Sequence, residues 1–325
     1  MFLEPFELGN YKLDVSSSIG VSVFPQDSLD PGELIRHADT AMYSAKENGR
    51  NNFRFYTEEL TSNAYEYFEI EIAMRSALQF DQFFLVYQPQ FDLITNEIIG
   101  VEALIRWLHP KLGVISPARF ITVAETTGQI EQIGEWVITE TARQTRTWDQ
   151  AGLPPFTVSL NISRKQLIVP GLSWSVSQII DDVGIDGSRF EFEITESSIL
   201  DRQEIVYANL KELKSMGISL AIDDFGTGYS SLVNLKQFPL SRLKIDQSFV
   251  RDVTKDTNDE AIIRATIALG KSLQLAIIAE GVETEEQREF LIREGCEHAQ
   301  GYLYSEPLLP EQIIELFQKV NRTMK

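Results

Sequence analysis

Cysteine and histidine are scarce in this sequence. Among 325 residues there is one cysteine, Cys296, and there are three histidines, His37, His109 and His298. A single cysteine excludes a disulfide within the chain, and so few scattered residues argue against a zinc site built from His and Cys. This usage is typical of a reducing compartment. We therefore expect a cytoplasmic location, for the chain alone or as the cytosolic part of a larger, membrane-anchored protein.

Positive charge is also in short supply. The chain has 29 Lys and Arg against 48 Asp and Glu, which gives a net charge of −19. Proteins that hold nucleic acid by neutralising its phosphates need clustered basic residues, so we expect no DNA or RNA binding. A phosphate-bearing substrate would need cations as intermediaries, and carboxylates are the usual ligands of Mg²⁺ or Mn²⁺. A solvated acidic surface explains the charge equally well.

Long uninterrupted hydrophobic runs are missing. The N-terminal segment MFLEPFELGN lacks a basic stretch followed by an apolar one, and the most apolar helical stretch, residues 261–278, contains Arg264 and Lys271. We therefore expect no membrane segment in this chain. The composition, 43% hydrophobic and 24% charged, is that of a globular protein that can bury a sizeable core.

The length suggests two units, or one barrel of about 250 residues with an appendage. Residues 11–24 are predicted to form a strand, residues 31–46 an amphipathic helix and residues 52–56 a second strand. This β-α-β fragment is short for an independent domain, and a stretch with apolar residues at helical spacing follows it. The predicted parts are the fragment 1–56, a linker helix 57–80 and the main domain 81–325.

In the main domain, short β-rich runs alternate with helical patterns. This alternation predicts an α/β fold with parallel strands and crossover helices. A closed (β/α)₈ barrel suits the spacing better than an open doubly wound sheet, which remains the alternative. The runs are FFLVYQPQF, IIGVEALIRW, FTVSLNIS, RFEFEITE, GISLAIDDF, RLKIDQSF, LAIIAEGV and HAQGYLY.

Polar residues stand at the carboxyl ends of these runs. In a barrel the strand ends meet at one mouth, so residues distant in sequence can build one site there. Carboxylates crowded at a mouth would repel one another unless divalent cations lay between them. Any one of these acids, taken alone, can equally be a surface or salt-bridged residue. The strand-end residues are Glu102, Asn161, Glu193, Asp223, Asp224, Lys244, Glu280 and Gln300.

Asp223 and Asp224 end one strand together, and a loop with the sequence FGTGYSS follows. Neighbouring residues on a strand point to opposite faces, unless the strand is ending and both turn to the mouth. In that case one Asp could bridge two metal ions, an arrangement suited to phosphodiester cleavage. The pair is also compatible with an ordinary turn before Gly226.

Two basic residues stand out against this acidic background. Lys244 lies on an apolar strand, where it either extends to solvent or faces the mouth and could orient a water or neutralise charge on a phosphate. Arg106 lies on the same strand face as Glu102 and could bind phosphate, although a structural ion pair is as compatible with the spacing. We interpret Trp107 and the other tryptophans as packing residues.

The segments YQPQFDL, GVEALIRW, SLNIS, FEITES, AIDDFGTGYSSL, LKIDQSFV, IAEGVE and AQGYLYSEPL occur in this order. Together they resemble the signature of EAL-domain phosphodiesterases over residues 83–308. The resemblance implies a modified TIM barrel that hydrolyses cyclic di-GMP (c-di-GMP) to linear pGpG with two divalent cations, Mg²⁺ or Mn²⁺. It also implies a homodimer that pairs through barrel helices near the DDFGTGYSS loop.

The resemblance further assigns roles to individual residues. Asp223 would bridge the two metals, Glu196 would hold the DDFGTGYSS loop in place, and either Lys244 or Glu280 would act as the base. The implied metal ligands are Glu102, Asn161, Glu193 and Asp223 for one ion and Asp223, Asp224 and Glu280 for the other, with Lys244, Glu280 and Glu102 as catalytic residues. The implied substrate contacts are Gln88, Leu104, Arg106, Asp246, Glu283 and Gln300.

The N-terminal fragment resembles the end of a GGDEF diguanylate cyclase domain through the segments SSIGVSVFPQD and HADTAMYSAKENGRNNF. Lys46 and Arg50 match positions that contact GTP phosphates in that family. The loop that names the family is missing, because the sequence contains no Gly-Gly dipeptide. We therefore expect a truncated remnant that cannot make c-di-GMP, from which any upstream sensory domain has been removed.

Three functions remain open from the sequence. The first is an active c-di-GMP hydrolase. The second is a signalling module that binds c-di-GMP without hydrolysing it, for which a missing metal ligand would be the marker; none of the matched positions is substituted. The third is a different metal-dependent barrel that acts on other phosphodiesters or on enolates.

Overall fold

The structure is a computed structural model, and it describes residues 6–8, 11–13, 16–47, 51–199, 203–227 and 237–323. The chain divides into two compact units, Met1–Ser76 and Ala77–Lys325. The helix predicted as a linker, observed at Glu58–Ala77, extends across this division. The domain boundaries at residues 56 and 80 therefore stay a prediction.

The first unit contains the predicted β-α-β element. Strands β3 (Ile19–Val21) and β4 (Phe53–Phe55) are parallel, and helix α1 (Pro31–Glu47) connects them. Gly20 lets α1 approach the sheet, because a Cβ at this position would lie 1.9 Å from the backbone oxygen of Ala38. The other elements of the unit are an antiparallel pair, β1 (Phe6–Leu8) with β2 (Tyr11–Leu13), and most of α2 (Glu58–Ala77).

The single strand predicted over residues 11–24 is divided in the structure. Residues 11–13 and 19–21 are strands, whereas residues 16–18 and 22–24 are not. The Val23 N–H donates to the Asp27 carboxylate at 2.6 Å, and the Ser22 hydroxyl donates to the Leu34 carbonyl. These local bonds compete with strand pairing, which ends β3 at Val21. Of the two predicted phosphate contacts, Lys46 lies near the end of α1 and Arg50 lies outside the described residues.

The second unit is the predicted barrel of eight strands. The ring order is β5, β13, β12, β11, β10, β9, β8 and β6, and β6 closes the ring by pairing with β5. A short extra strand, β7 (Gly113–Ile115), pairs with β6 outside the ring. The ring strands are β5 (Phe83–Asp92), β6 (Ile98–His109), β8 (Thr157–Asn161), β9 (Phe190–Thr195), β10 (Ser219–Phe225), β11 (Arg242–Ile245), β12 (Ala276–Ala279) and β13 (His298–Ala299).

The first ring strand runs against the others, which corrects the expectation of eight parallel strands. β5 is antiparallel to both β6 and β13, while the remaining ring pairs are parallel. The connection between β5 and β6 is too short for a crossover helix, so these two strands form a hairpin. Its turn is held by the Asp92 carboxylate, which accepts the backbone N–H groups of Ile94 and Thr95.

Helices follow most ring strands and cover the outside of the barrel. Apolar side chains from strands and helices form one core there, for example Ile245 and Ile277 against Ile263, Ile267 and Phe290. Across the described parts of the chain, no helix combines the length and apolar character needed to cross a membrane. The helices are α3 (Pro117–Thr127), α4 (Ile130–Gln150), α5 (Arg164–Leu167), α6 (Leu172–Val183), α7 (Gln203–Ser215), α8 (Gln247–Arg251), α9 (Thr257–Leu273), α10 (Glu285–Glu294) and α11 (Pro310–Thr323).

Candidate functional site

Lys244 lies at the centre of a charged cluster at the barrel mouth. Its side chain is 1% exposed, and its ammonium contacts four carboxylates from four other strands or strand ends. The alternative in which Lys244 extends to solvent is therefore wrong. The Nζ distances are 2.5 Å to Glu193, 2.6 Å to Glu280, 3.2 Å to Asp223 and 3.8 Å to Glu102. We call Glu102, Glu193, Asp223, Lys244 and Glu280 the mouth cluster.

Two amides hold the Glu102 carboxylate from either side. Asn161 Nδ2 donates to one Glu102 oxygen at 2.8 Å, and Gln300 Nε2 donates to the other at 2.6 Å. Gln300 Nε2 also donates to Gln88 Oε1 at 2.9 Å. This arrangement leaves the Asn161 carbonyl oxygen, rather than its nitrogen, as the atom that could bind a cation.

The end of β10 turns both aspartates away from regular strand geometry. Asp224 has a φ of 54°, and the pairing of β10 with β11 shifts register between Ile222 and Phe225. The Asp224 N–H donates to its neighbour's carboxylate, Asp223 Oδ1, at 2.9 Å. As a result Asp223, Asp224 and Glu280 offer oxygen atoms that all lie within 4.8 Å of one another. The expectation that both aspartates can face the mouth fits this geometry.

Three acids of the site have pKa values above their ordinary range. Burial, followed by the charge of Glu102, raises the pKa of Glu193 well above normal. Burial raises the pKa of Glu280 to about 8, although the Lys244 ammonium opposes this. Burial and the charge of Asp223 raise the pKa of Asp224 to about 6. Without added positive charge these acids therefore tend to keep their protons.

The pKa values of Lys244 and Glu102 shift in favour of their charged forms. Burial alone would lower the pKa of Lys244, but the surrounding carboxylates, Glu102 first, raise it well above its ordinary value. Burial would raise the pKa of Glu102, but the Lys244 charge and the amide hydrogen bonds from Gln300 and Asn161 bring it below its ordinary value. Both groups are therefore charged at neutral pH.

The chemistry of these residues fits divalent cations. Carboxylate and amide oxygens are the ligands that hard cations prefer. Moreover, Glu193 Oε1 is fully buried and has no hydrogen-bond partner among the described residues. An unpaired buried carboxylate oxygen is costly unless a positive charge compensates it.

A cleft opens above the mouth cluster. It brings together four of the predicted substrate contacts, Gln88, Leu104, Glu283 and Gln300. The sequence reasoning missed four further residues of the lining, although three of them directly neighbour predicted residues. These are Gln247, Gly281, Gly301 and Tyr302.

Arg106 and Asp246, the other predicted substrate contacts, are not among the residues that line the cleft. Arg106 Nη1 donates to the Ile105 carbonyl at 2.9 Å, and partial burial lowers its pKa. Asp246 begins α8 by accepting the N–H of Ser248, and its charge contributes to the raised pKa of Asp224. No ion pair of Arg106 is found in the described part of the chain.

Glu196 contacts the start of the loop that follows the two aspartates. Its Oε2 accepts the Gly226 N–H at 3.2 Å. Gly226 has a φ of 102°, a conformation that favours glycine. The contact is compatible with the predicted role of Glu196, while residues 228–231 of the loop lie outside the described residues.

A second set of polar residues, which sequence reasoning did not single out, lies deeper in the barrel. Arg242 on β11 pairs with Glu191 on β9 at 3.3 Å and donates to Gln90 on β5 at 3.1 Å. Ser159 on β8 donates to Glu191 at 3.1 Å. The two contacts of Arg242 join strands that are not neighbours in the ring, so they cross the barrel interior, whereas Ser159 and Glu191 lie on the neighbouring strands β8 and β9. We call Gln90, Ser159, Glu191 and Arg242 the inner layer.

Comparisons with known proteins show the family of the chain. The chain matches the EAL domain family over residues 72–307 and the diguanylate cyclase GGDEF domain family over residues 1–52. It is 42% identical over 311 residues to MucR of Pseudomonas aeruginosa, a "bifunctional diguanylate cyclase/cyclic di-GMP phosphodiesterase", covering 96% of this chain and 45% of MucR. It is 36% identical over 304 residues to PdeR of Escherichia coli, a "cyclic di-GMP phosphodiesterase", covering 94% of this chain and 46% of PdeR.

A solved structure, "PaMucR Phosphodiesterase, c-di-GMP complex", superposes with a TM-score of 0.73 at 43% identity, covering 75% of this chain and 99% of that one. A second, the cAMP- and cyclic-di-GMP-bound form of the EAL enzyme Bd1971, superposes with a TM-score of 0.74 at 33% identity, covering 78% and 69%. The chain spans less than half the length of the two curated relatives. The family match, however, covers most of the chain, and this protein belongs to the EAL domain family.

Proposed function

We propose that this barrel hydrolyses c-di-GMP to linear pGpG at the mouth cluster with two divalent cations, Mg²⁺ or Mn²⁺. The observation that carries the proposal is the concentration of buried carboxylates around Lys244 at the base of an open cleft. The names of MucR and PdeR, and the c-di-GMP complex of the similar phosphodiesterase structure, support the choice of substrate.

The proposed ligands divide into two groups that share Asp223. Asp223, Asp224 and Glu280 supply one group, and their close oxygen atoms support it. Glu102, Asn161, Glu193 and Asp223 supply the other, to which Glu193 brings its unpaired oxygen. When bound, divalent cations lower the pKa of a coordinated water and offset charge on the phosphate oxygens.

The side chains around these ligands supply orientation and charge. Lys244 donates to Glu193 and lies close to Glu280, so its ammonium holds the carboxylates together and places a positive charge where the phosphate would enter. Glu102 is fixed by two amides and accepts from both. The choice of base between Lys244 and Glu280 stays open.

For the substrate we propose contacts at Gln88, Leu104, Arg106, Asp246, Glu283 and Gln300. The lining of the cleft supports Gln88, Leu104, Glu283 and Gln300. Arg106 and Asp246 would act from its edges, since Asp246 directly precedes the lining residue Gln247. Tyr302 and Gln247 add an aromatic ring and an amide to the same cleft, groups that suit a guanine base.

The direct test is incubation of the protein with c-di-GMP and Mn²⁺, followed by anion-exchange chromatography. We expect a pGpG peak that disappears in Glu102→Ala. The matched control is Asp182→Ala, which removes an exposed acid from α6 and should leave the rate unchanged. An unchanged c-di-GMP peak with the wild-type protein would overturn the proposal.

The same experiment separates the other two functions. Tight c-di-GMP binding without turnover would identify a receptor rather than a hydrolase. Faster cleavage of a generic phosphodiester than of c-di-GMP would identify a different metal-dependent barrel. We further propose a cytoplasmic location and no binding of DNA or RNA.

We also propose a homodimer that uses an apolar cleft beside the end of β10. The cleft is lined by Phe225, Gly226, Ile262, Ala265, Thr266 and Leu269, from β10, the residue after it and α9. A charge in this cleft should separate the dimer, so Ala265→Glu should lower the mass measured by light scattering. Ala268→Glu on the exposed side of α9 is the control. A monomeric wild-type protein would refute the dimer.

A further inference from the structure

A chain of hydrogen bonds connects the inner layer to the mouth cluster. Arg242 Nη1 donates to Gln90 Oε1 at 3.1 Å, and Gln90 Nε2 donates to Gln300 Oε1 at 3.1 Å. Gln300 Nε2 then donates to Glu102 Oε2 at 2.6 Å. This chain of hydrogen bonds begins at the Arg242 guanidinium on β11 and ends at Glu102, a proposed metal ligand on β6.

The chemistry of Arg242 and Glu102 fixes which way the hydrogen bonds between them must run. Arg242 can only donate hydrogen bonds, and the Glu102 carboxylate can only accept them. The two amides between them must each turn their oxygen toward Arg242 and their nitrogen toward Glu102. Gln90 and Gln300 are 1% and 4% exposed, so bulk water competes little for these groups.

Neighbouring groups hold both Arg242 and Gln90 in place. Glu191 holds Arg242 at 3.3 Å and is itself held by the Ser159 hydroxyl. Gly100 leaves the space that the Gln90 amide occupies, because a Cβ there would lie 3.1 Å from Gln90 Oε1 and 2.8 Å from the Thr157 carbonyl oxygen. The Gln90 amide is therefore fixed in place by its neighbours rather than free to turn.

We propose that Gln90 and Arg242 are positioning residues, which fix the Gln300 amide so that its nitrogen, and not its oxygen, faces Glu102. The proposal rests on the proposed function, since it assigns to Glu102 an orientation that cation binding requires. If the Gln300 amide turned round, its oxygen would lie against the Glu102 carboxylate, and the two acceptors would repel. Glu102 would then turn away from the cations.

The test uses two substitutions of Gln90 with different consequences. Gln90→Glu keeps the shape and still accepts from Arg242, but its carboxylate cannot donate to Gln300. It would instead accept from the Gln300 nitrogen and so turn that amide round. Gln90→Met keeps the volume and removes both bonds, which frees the Gln300 amide without reversing it.

We expect the two substitutions to differ in cation binding. Gln90→Glu should weaken Mn²⁺ binding, measured by calorimetry, and lower kcat by about 10- to 100-fold, the usual range for groups that orient metal ligands. Gln90→Met should show a smaller loss of both. In thermal unfolding without metal both variants should lose stability, because Gln90→Met leaves one Arg242 N–H and the Gln300 oxygen unpaired, and Gln90→Glu turns the Gln300 oxygen against Glu102.

A general electrostatic effect would give the opposite sign, since an added carboxylate should strengthen cation binding. Gln150→Glu is the control, because it makes the same substitution at an exposed position of α4, outside the inner layer and the mouth cluster. It should leave Mn²⁺ affinity within about twofold of wild type, well below the range for positioning groups.

The inference is overturned if Gln90→Glu binds Mn²⁺ as tightly as wild type, or if Gln90→Met is the poorer binder. If wild type binds Mn²⁺ but leaves c-di-GMP intact, the proposed function fails while the binding comparison still decides this inference.

Discussion

The mouth cluster and the inner layer occupy the same barrel but differ in charge balance. In the mouth cluster four carboxylates surround the single ammonium of Lys244. In the inner layer one guanidinium faces one carboxylate, and a hydroxyl and an amide add hydrogen bonds, although Arg242 Nε is buried without a partner among the described residues. The formal charges of the inner layer therefore balance, whereas the acids of the mouth cluster outnumber its one ammonium and need protons or added cations.

Strand β9 shows the difference within one element. Glu191 and Glu193 are two residues apart, so both point to the barrel interior. Glu191 accepts from Ser159 and pairs with Arg242, whereas Glu193 keeps one buried oxygen without a partner among the described residues. Depth along the strand therefore separates a structural acid from a proposed metal ligand.

The largest effect that we predict is the loss of catalysis in the Glu193→Gln variant. The substitution removes a proposed ligand with little change in shape, and the charge compensation that metals provide is worth several kcal/mol. We expect kcat with Mn²⁺ to fall by about 1000-fold or more. Stability without metal should not fall, because Lys244 keeps Glu280 and Asp223 as partners.

The measurements for Glu193→Gln are steady-state hydrolysis and urea unfolding of the same preparation. A variant that loses stability in parallel with activity would show that Glu193 has the same structural role as Glu191. A variant that retains the wild-type rate would remove Glu193 from the ligand set.

The second largest effect that we predict is a loss of stability in the Glu191→Gln variant. Arg242 would lose its buried ionic partner, and breaking such a pair costs about 3 kcal/mol or more. Urea unfolding should show this loss, and the metal-free protein should show it as clearly as the metal-loaded one. An unchanged unfolding midpoint would mean that the inner layer does not depend on this pair, and the contrast with the mouth cluster would fail.

The sequence predicted the mouth cluster better than the inner layer. The structure brings Glu102, Glu193, Asp223, Lys244 and Glu280 together at the mouth, as predicted. The prediction that Glu102 ends its strand is wrong, because β6 continues to His109. The inner layer was missed, although its residues lie two positions from predicted ones on four of the same strands. Alternation along a strand was a usable signal for it.

Other features of the fold and the site differ in how far the sequence could predict them. The antiparallel direction of β5 follows from its short connection to β6, which could have been read from the sequence. The pKa values could not, because they depend on distances between strands such as the 2.6 Å from Lys244 to Glu280. The direction of the Gln90 and Gln300 amides likewise depends on which strands lie opposite one another.

The third prediction concerns pH. Glu280 and Asp224 have pKa values of about 8 and about 6 in the metal-free protein, and the pKa of Glu193 is also raised. In the unfolded chain such acids titrate near 4. Between about pH 5 and pH 8 the folded state therefore retains protons that the unfolded state has lost, and stability must fall as pH rises.

Unfolding midpoints measured from pH 5 to 8 without metal test this sign, and each kcal/mol lost corresponds to about 2–4 °C in Tm for a domain of this size. Mn²⁺ should raise Tm more at pH 8 than at pH 5, because cations replace the protons. Glu280→Gln should flatten the metal-free profile. A metal-free Tm that rises over this window would contradict the charge excess assigned to the mouth cluster.

The smallest effect should come from Glu196, which lies beside the mouth cluster and contacts the chain after Asp224. Glu196→Ala leaves the Gly226 N–H without its acceptor, so the backbone that places both aspartates is less restrained. One such hydrogen bond is worth about 1–1.5 kcal/mol, so Mn²⁺ affinity should fall by about tenfold or less. Glu196→Gln keeps an accepting oxygen and should bind Mn²⁺ nearly as wild type does. If both variants bound equally weakly, the charge of Glu196, and not its contact with Gly226, would be what the site uses, and Glu196 would belong with the four carboxylates around Lys244.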